Sequence, residues 1–368
     1  MKKYLRIIAS ALVCSVLFSC SKADLADAPH DVDVETDEAA TFYDNLNLIV
    51  ESAYVGRTIS TAAEENPIFS KLNSIRILDE NDASISFFDM DAEEQKAFFS
   101  EYSKMNTESL REKIRTSALC EEYIKGQNRI VKKTISSHSL ATKADGKVKI
   151  SDIDAFLTDL QANMEIFHMD PVELPATKSV KIPDTVRIKN TVASVAKKGD
   201  MILCLPVHES PIVLLNPFNS ESLAGHVEIF TEDIKPTVQM HDLVTVGAQS
   251  AGVYKWNLDK EWRTQFYILG IKVYDYKWEK LKLKKVERKI DTSLLSDKAE
   301  TYIGCEYVKP EEFLISKLAA PKRFSCATLC WWCARELYDI ELAPWLTPVI
   351  TPSDIYLNEH TYIKASVD

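Results

Sequence analysis

Beyond its first 20 residues the chain has no apolar run long enough to cross a bilayer. It also has no surplus of basic residues: 44 Lys and Arg stand against 55 Asp and Glu, a net charge of -11. That balance argues against the electropositive face a nucleic-acid partner requires. The one basic run, KWEKLKLKKVERK at 277–289, alternates with Leu and Val as a solvent-faced strand does. There are no internal repeats. Cysteine is sparse for 368 residues, at 8, and a domain of this size needs no disulfide staples even where export permits them. No clear fourth ligand accompanies Cys326, Cys330 and Cys333, so no metal site is expected, and nothing calls for a cofactor.

What the chain does contain begins with MKKYLRIIASALVCSVLFSC, two lysines ahead of a short apolar stretch that ends at Cys20. Residues 1–20 resemble a bacterial lipoprotein signal, which implies cleavage before Cys20 and a lipid on that cysteine. Ser21 after it resembles the outer-membrane sorting pattern. The expectation is an exported outer-membrane lipoprotein, held to the membrane by its N-terminal lipid and facing either the periplasm or the medium. Residues 21–38, SKADLADAPHDVDVETDE, are short of large apolar side chains and read as a flexible tether.

From 39 to 145 the pattern is helical. Phe42, Leu46, Ile49 and Tyr54 recur at helical intervals, and acidic residues after Asp91 favour a helix start. The polar segment SHSLATKADGK at 137–147 reads as a linker, so a helical domain over 39–145 and a second domain over 146–368 are expected. The second domain opens on another helix, with Ile153, Phe156, Leu157 and Leu160 on one face. The period then changes. Short runs at 201–207, 226–230, 243–248, 266–274 and 280–288 are rich in β-branched or aromatic residues and bounded by turns. Helices are expected at about 293–303 and 326–339. The whole reads as α+β, a mainly antiparallel sheet with helices packed against it.

The chemistry concentrates in two segments. RFSCATLCWW at 323–332 puts Cys326 in the first turn of a helix, where unpaired amides stabilise a thiolate. Cys330 and Cys333, with Leu329, Trp332 and Leu337, then supply the helix's buried side. GHVEIF at 225–230 puts His226 at the start of an apolar strand, suited to take a thiol proton and return it to a leaving amine.

Together with the GD-plus-apolar strand Lys198 to Leu203, Tyr302-Ile303-Gly304 and Thr351-Pro352-Ser353-Asp354, these segments resemble the circularly permuted, YiiX-like branch of the NlpC/P60 papain-like cysteine hydrolases over roughly residues 190–357. The resemblance implies a papain-like core with the histidine strand before the cysteine helix. It implies Cys326 as nucleophile, His226 as base, and amide hydrolysis in a cell-wall peptide or another small amide.

This sequence departs from the family in two places. The polar or acidic third residue expected on the strand after the histidine is replaced by Gly247 in Val246-Gly247-Ala248, and Glu228 replaces a small glycine two residues after His226. Gln249 is the preferred third residue, with Glu228 and Thr245 as secondary candidates, since residues two apart on a strand share a side. Glu228 either orients His226 or crowds it, the latter giving a catalytically silent lipoprotein that binds wall or host material through the same groove. Cys330-Trp331-Trp332-Cys333 offers a thiol–disulfide alternative, provided a helix starts at Cys330. Trp256, Trp262 and Trp278 as a saccharide platform, and His208 and His241 as pocket residues, are weaker candidates. Asp200 reads as a turn former.

Overall fold

The computed structural model describes residues 37–116, 118–141, 148–169, 185–204, 225–234, 243–257, 266–309, 317 and 320–367. The expected signal, Cys20, most of the tether, His208, His241 and Trp262 lie outside these residues. Among the described residues no helix is long and apolar enough to cross a membrane.

Helices dominate the first part: α1 (Glu38–Ala53), α2 (Thr61–Glu64), α3 (Pro67–Ser74), α4 (Ala92–Thr116), α5 (Ala118–His138), α6 (Ile153–Met169) and α7 (Thr185–Val195). The Asp37 carboxylate accepts from Ala40 N at 3.0 Å and starts α1. Its apolar stripe, Phe42, Leu46, Ile49 and Val50, is buried. Short strands β1 (Ile77–Leu78), β2 (Ser84–Ile85), β3 (Ser139–Ala141) and β4 (Val148–Ile150) interrupt the helices.

The sheet region comprises β5 (Met201–Cys204), β6 (His226–Phe230), β7 (Val244–Gln249), β8 (Gly252–Asn257), β9 (Phe266–Ile271), β10 (Val273–Glu279) and β11 (Lys282–Arg288). Then come α8 (Leu294–Glu300), β12 (Glu306–Tyr307), β13 (Arg323–Phe324), α9 (Cys326–Tyr338), α10 (Pro352–Leu357) and β14 (Thr361–Val367). Six strands form one antiparallel sheet in the order β14-β9-β5-β6-β7-β8. One face joins α8 and α9 in the main core through Leu203, Val227, Ile229, Val246, Leu295 and Leu329. On the other, Ile202, Phe230 and Ile268 pack with Val192 of α7.

The boundary drawn near residue 145 does not divide the structure: Asp37–Asp368 is one compact unit. The reason is a strand exchange between the two regions. Ile77 of β1 pairs in parallel with Tyr276 of β10, in a second sheet ordered β11-β10-β1-β2. One apolar cluster runs from Phe42 of α1 to Tyr356 of α10, so the main core is shared by the two regions. The basic run also departs from a purely solvent-faced strand. Lys285 Nζ donates to Asn106 Oδ1 of α4 at 3.2 Å and lies 4.1 Å from the Tyr274 ring centre.

The Gly199-Asp200 turn is structural. Gly199 has φ +85°, and an added Cβ would stand 1.8 Å from the Thr292 carbonyl oxygen. Asp200 accepts from Lys197 N at 2.7 Å and pairs with Lys364 Nζ at 2.7 Å, fixing the entry of β5 beside β6.

Candidate active site

Cys326 opens α9 because Ser325 caps it. Thr328 N donates to Ser325 Oγ at 3.2 Å and Ser325 N donates to Thr328 Oγ1 at 2.7 Å, a reciprocal capping box. Leu329, Cys330, Trp331, Cys333 and Ala334 anchor the helix in the core. The buried tryptophan is Trp331, whereas Trp332 is half-buried and donates to Tyr302 Oη at 2.8 Å. Cys326 itself is 6 % exposed, and its backbone N–H has no hydrogen-bond partner among the described residues.

His226 begins β6 and is also 6 % exposed. The Cys326 thiol lies close enough to His226 to raise the imidazole's pKa. The imidazole Nε2 lies 2.8 Å from Glu228 Oε1. Burial, the largest influence on this histidine, opposes its charge. The Cys326 charge and hydrogen bond, joined by those of Glu228, outweigh it and hold the imidazole at about 9.

Glu228 is 1 % exposed. Besides the imidazole, Gln249 Nε2 donates to its Oε1 at 2.7 Å and Thr245 Oγ1 donates to its Oε2. The structure thus brings His226 and its three candidate partners together but orders them: Glu228 is bonded to the imidazole, and Gln249 and Thr245 are bonded to Glu228.

Tyr307 is a site residue that sequence reasoning missed. β12 pairs in parallel with β13, Tyr307 beside Phe324, and this short pairing carries the phenol to the start of α9. Burial foremost, and then the Cys326 charge, raises its pKa. The signal for it was Gly304-Cys305-Glu306-Tyr307, just past the Tyr302-Ile303-Gly304 segment.

Cys330 and Cys333 lie within α9, not at its start, and both are buried. Burial pushes both thiols up, away from thiolate chemistry. The six described cysteines are all free. Trp278 is buried against Phe98, and Trp256 Nε1 donates to the Gly247 carbonyl at 3.1 Å. Among the described residues no group of three or more His, Cys, Asp or Glu side chains is arranged to hold a metal ion.

A thiol on a helix N-terminus, beside an imidazole that is bonded to a buried carboxylate, has the residue types to form a nucleophilic thiolate and shuttle one proton. Comparison with protein-family models, with curated proteins and with solved structures finds no match for this chain.

Proposed function

We propose that the chain is a cysteine amidase or endopeptidase with a permuted papain-like core, acting through an acyl-thioester on Cys326. The observation that carries this reading is a buried imidazole 2.8 Å from the Glu228 carboxylate and beside the Cys326 thiol that opens α9. In this mechanism His226 takes the thiol proton and the sulfur attacks the carbonyl carbon of an amide. The developing oxyanion accepts from the Cys326 backbone N–H. His226 then returns its proton to the leaving amine as the C–N bond breaks. Water, deprotonated by His226, attacks the thioester, and the carboxylic acid leaves as the thiol is restored.

The leader-like first 20 residues and Cys20 make an outer-membrane lipoprotein the setting for this activity, with peptidoglycan peptides the nearest amide substrate. Against the silent-binder alternative stands the role of Glu228: it is bonded to the imidazole through a carboxylate oxygen, an orienting contact. Against redox chemistry stands the start of α9 at Cys326, not Cys330.

The test is incubation of the purified protein with isolated stem peptides, followed by mass spectrometry of peptide and protein. Cleaved peptide and a transient acyl adduct on Cys326, both lost in Cys326→Ala, are expected. Peptide binding without an adduct or cleavage would overturn the reading in favour of a binding lipoprotein.

A further inference from the structure

Two neighbouring oddities in the sheet explain one another. Glu228 is a carboxylate buried in the middle of an antiparallel sheet, a position where an acid is costly unless fully bonded. Gly247 sits in the adjacent strand, and its backbone does not call for glycine: among the described residues the glycines with left-handed backbone are Gly56, Gly199, Gly252 and Gly304. Space calls for it. A Cβ at position 247 would stand 2.4 Å from Glu228 Cγ, 3.0 Å from Cδ and 3.2 Å from Cβ.

Register supplies the rest. Ile229 pairs with Val246 and Phe230 with Thr245, so Thr245, Gly247 and Gln249 alternate onto the side of the sheet that carries Glu228. The glycine is the clearing, and the residues on either side of it hold what enters. Thr245 donates to Oε2 and Gln249 to Oε1 at 2.7 Å, which aims Oε1 at the His226 ring. Trp256 of β8 keeps the clearing open from the far side: its Nε1 donates to the Gly247 carbonyl at 3.1 Å, and its own carbonyl accepts from Thr245 Oγ1 at 3.4 Å.

We propose that Glu228 is the positioning residue for His226, carried on the histidine's own strand, seated in the space that Gly247 leaves, and held there by Thr245 and Gln249. The meaning of this for catalysis rests on the cysteine-hydrolase reading; the positioning itself does not. Because the two positions share one space, an acid from either strand fills it. Glycine at 228 with glutamate at 247 is therefore an equivalent solution, and replacing Glu228 alone is not.

The test reads the His226 imidazole by NMR titration, and the groups facing the imidazole and its partners are Cys326, Tyr307, Glu228 and Cys330. In a Cys326→Ala background, which removes the thiol's own influence, Glu228→Gln lowers the midpoint by about 1–3 units, as loss of one close opposite charge does. The paired Glu228→Gly/Gly247→Glu variant recovers most of that shift, and Glu228→Gly alone does not. Gln249→Leu, at a half-buried site that tolerates change, moves the midpoint in the same direction by less. The proposal is overturned if Glu228→Gln folds and leaves the midpoint in place. If Glu228→Gln does not fold, a Gln249→Leu midpoint equal to that of the parent overturns it.

Alkylation of Cys326 in the unsubstituted protein separates the two ideas. A sluggish Cys326 with a Glu228-dependent midpoint leaves the positioning intact and sinks the hydrolase. A fast Cys326 with a midpoint indifferent to Glu228 does the reverse.

Discussion

Gly247→Ala is the smallest perturbation that interrogates the site. The new methyl would lie 2.4 Å from Glu228 Cγ, closer than carbon atoms approach without displacement. Neither partner can give way easily. β7 is hydrogen-bonded on both sides, to β6 and β8, and the Glu228 carboxylate is tethered by His226, Gln249 and Thr245. Overpacking by one methyl, combined with loss of part of a charge-assisted hydrogen bond, costs about 2–4 kcal/mol. Urea denaturation measures it as a lowered midpoint at unchanged slope. The origin is isolated by repeating the substitution in a Glu228→Gly background, since the nearest three atoms to the new methyl all belong to Glu228. There Gly247→Ala costs less than about 0.5 kcal/mol, the level of an unremarkable substitution. The coupling between the two positions is then most of the effect. Equal costs in both backgrounds, or a neutral Gly247→Ala in the parent protein, would refute the account of Gly247 as a clearing.

Three further predictions concern the α9 cap, the thiol and a buried lysine. Ser325→Ala removes the α9 cap and costs about 1 kcal/mol by denaturation, with slower alkylation of Cys326; unchanged stability would contradict the capping role. Cys326→Ala removes the charge and hydrogen bond that raise His226, so its NMR midpoint falls from about 9; a midpoint still near 9 would show that the thiol does not contact it. Lys113 is buried, with Nζ donating to the Asn358 carbonyl and, at 3.3 Å, to Thr361 Oγ1. Burial foremost lowers it from 10.5 to about 7, so between those values the unfolded chain binds more protons and this group's contribution to stability rises with pH. Compared with Lys113→Met, the parent protein gains stability from pH 7 to 10, and parallel pH curves would contradict that.

The sequence placed Cys326 at the start of a helix and His226 at the start of a strand, and α9 does begin at Cys326 and β6 at His226. The period of two also put Glu228 on the histidine's side. The order of Glu228, Gln249 and Thr245 was not legible, since which carboxylate or amide reaches which ring depends on the register of Ile229 with Val246, a tertiary fact. Tyr307 escaped for the same reason: its place is set by a short parallel pairing between segments with no repeating pattern. The expected break near residue 145 rested on a polar stretch. What overrides it is the contact of Ile77 with Tyr276, far apart in the chain and invisible to any local window.

The central claim is that Cys326 and His226 form a thiolate–imidazolium pair, and iodoacetamide labelling from pH 5 to 9, read cysteine by cysteine by mass spectrometry, tests it most directly. The account predicts that Cys326 reacts first at the acid end, ahead of Cys330 and Cys333, and that His226→Ala abolishes the preference. Labelling of Cys326 no faster than of those buried thiols, or selective labelling of Cys330, would contradict it.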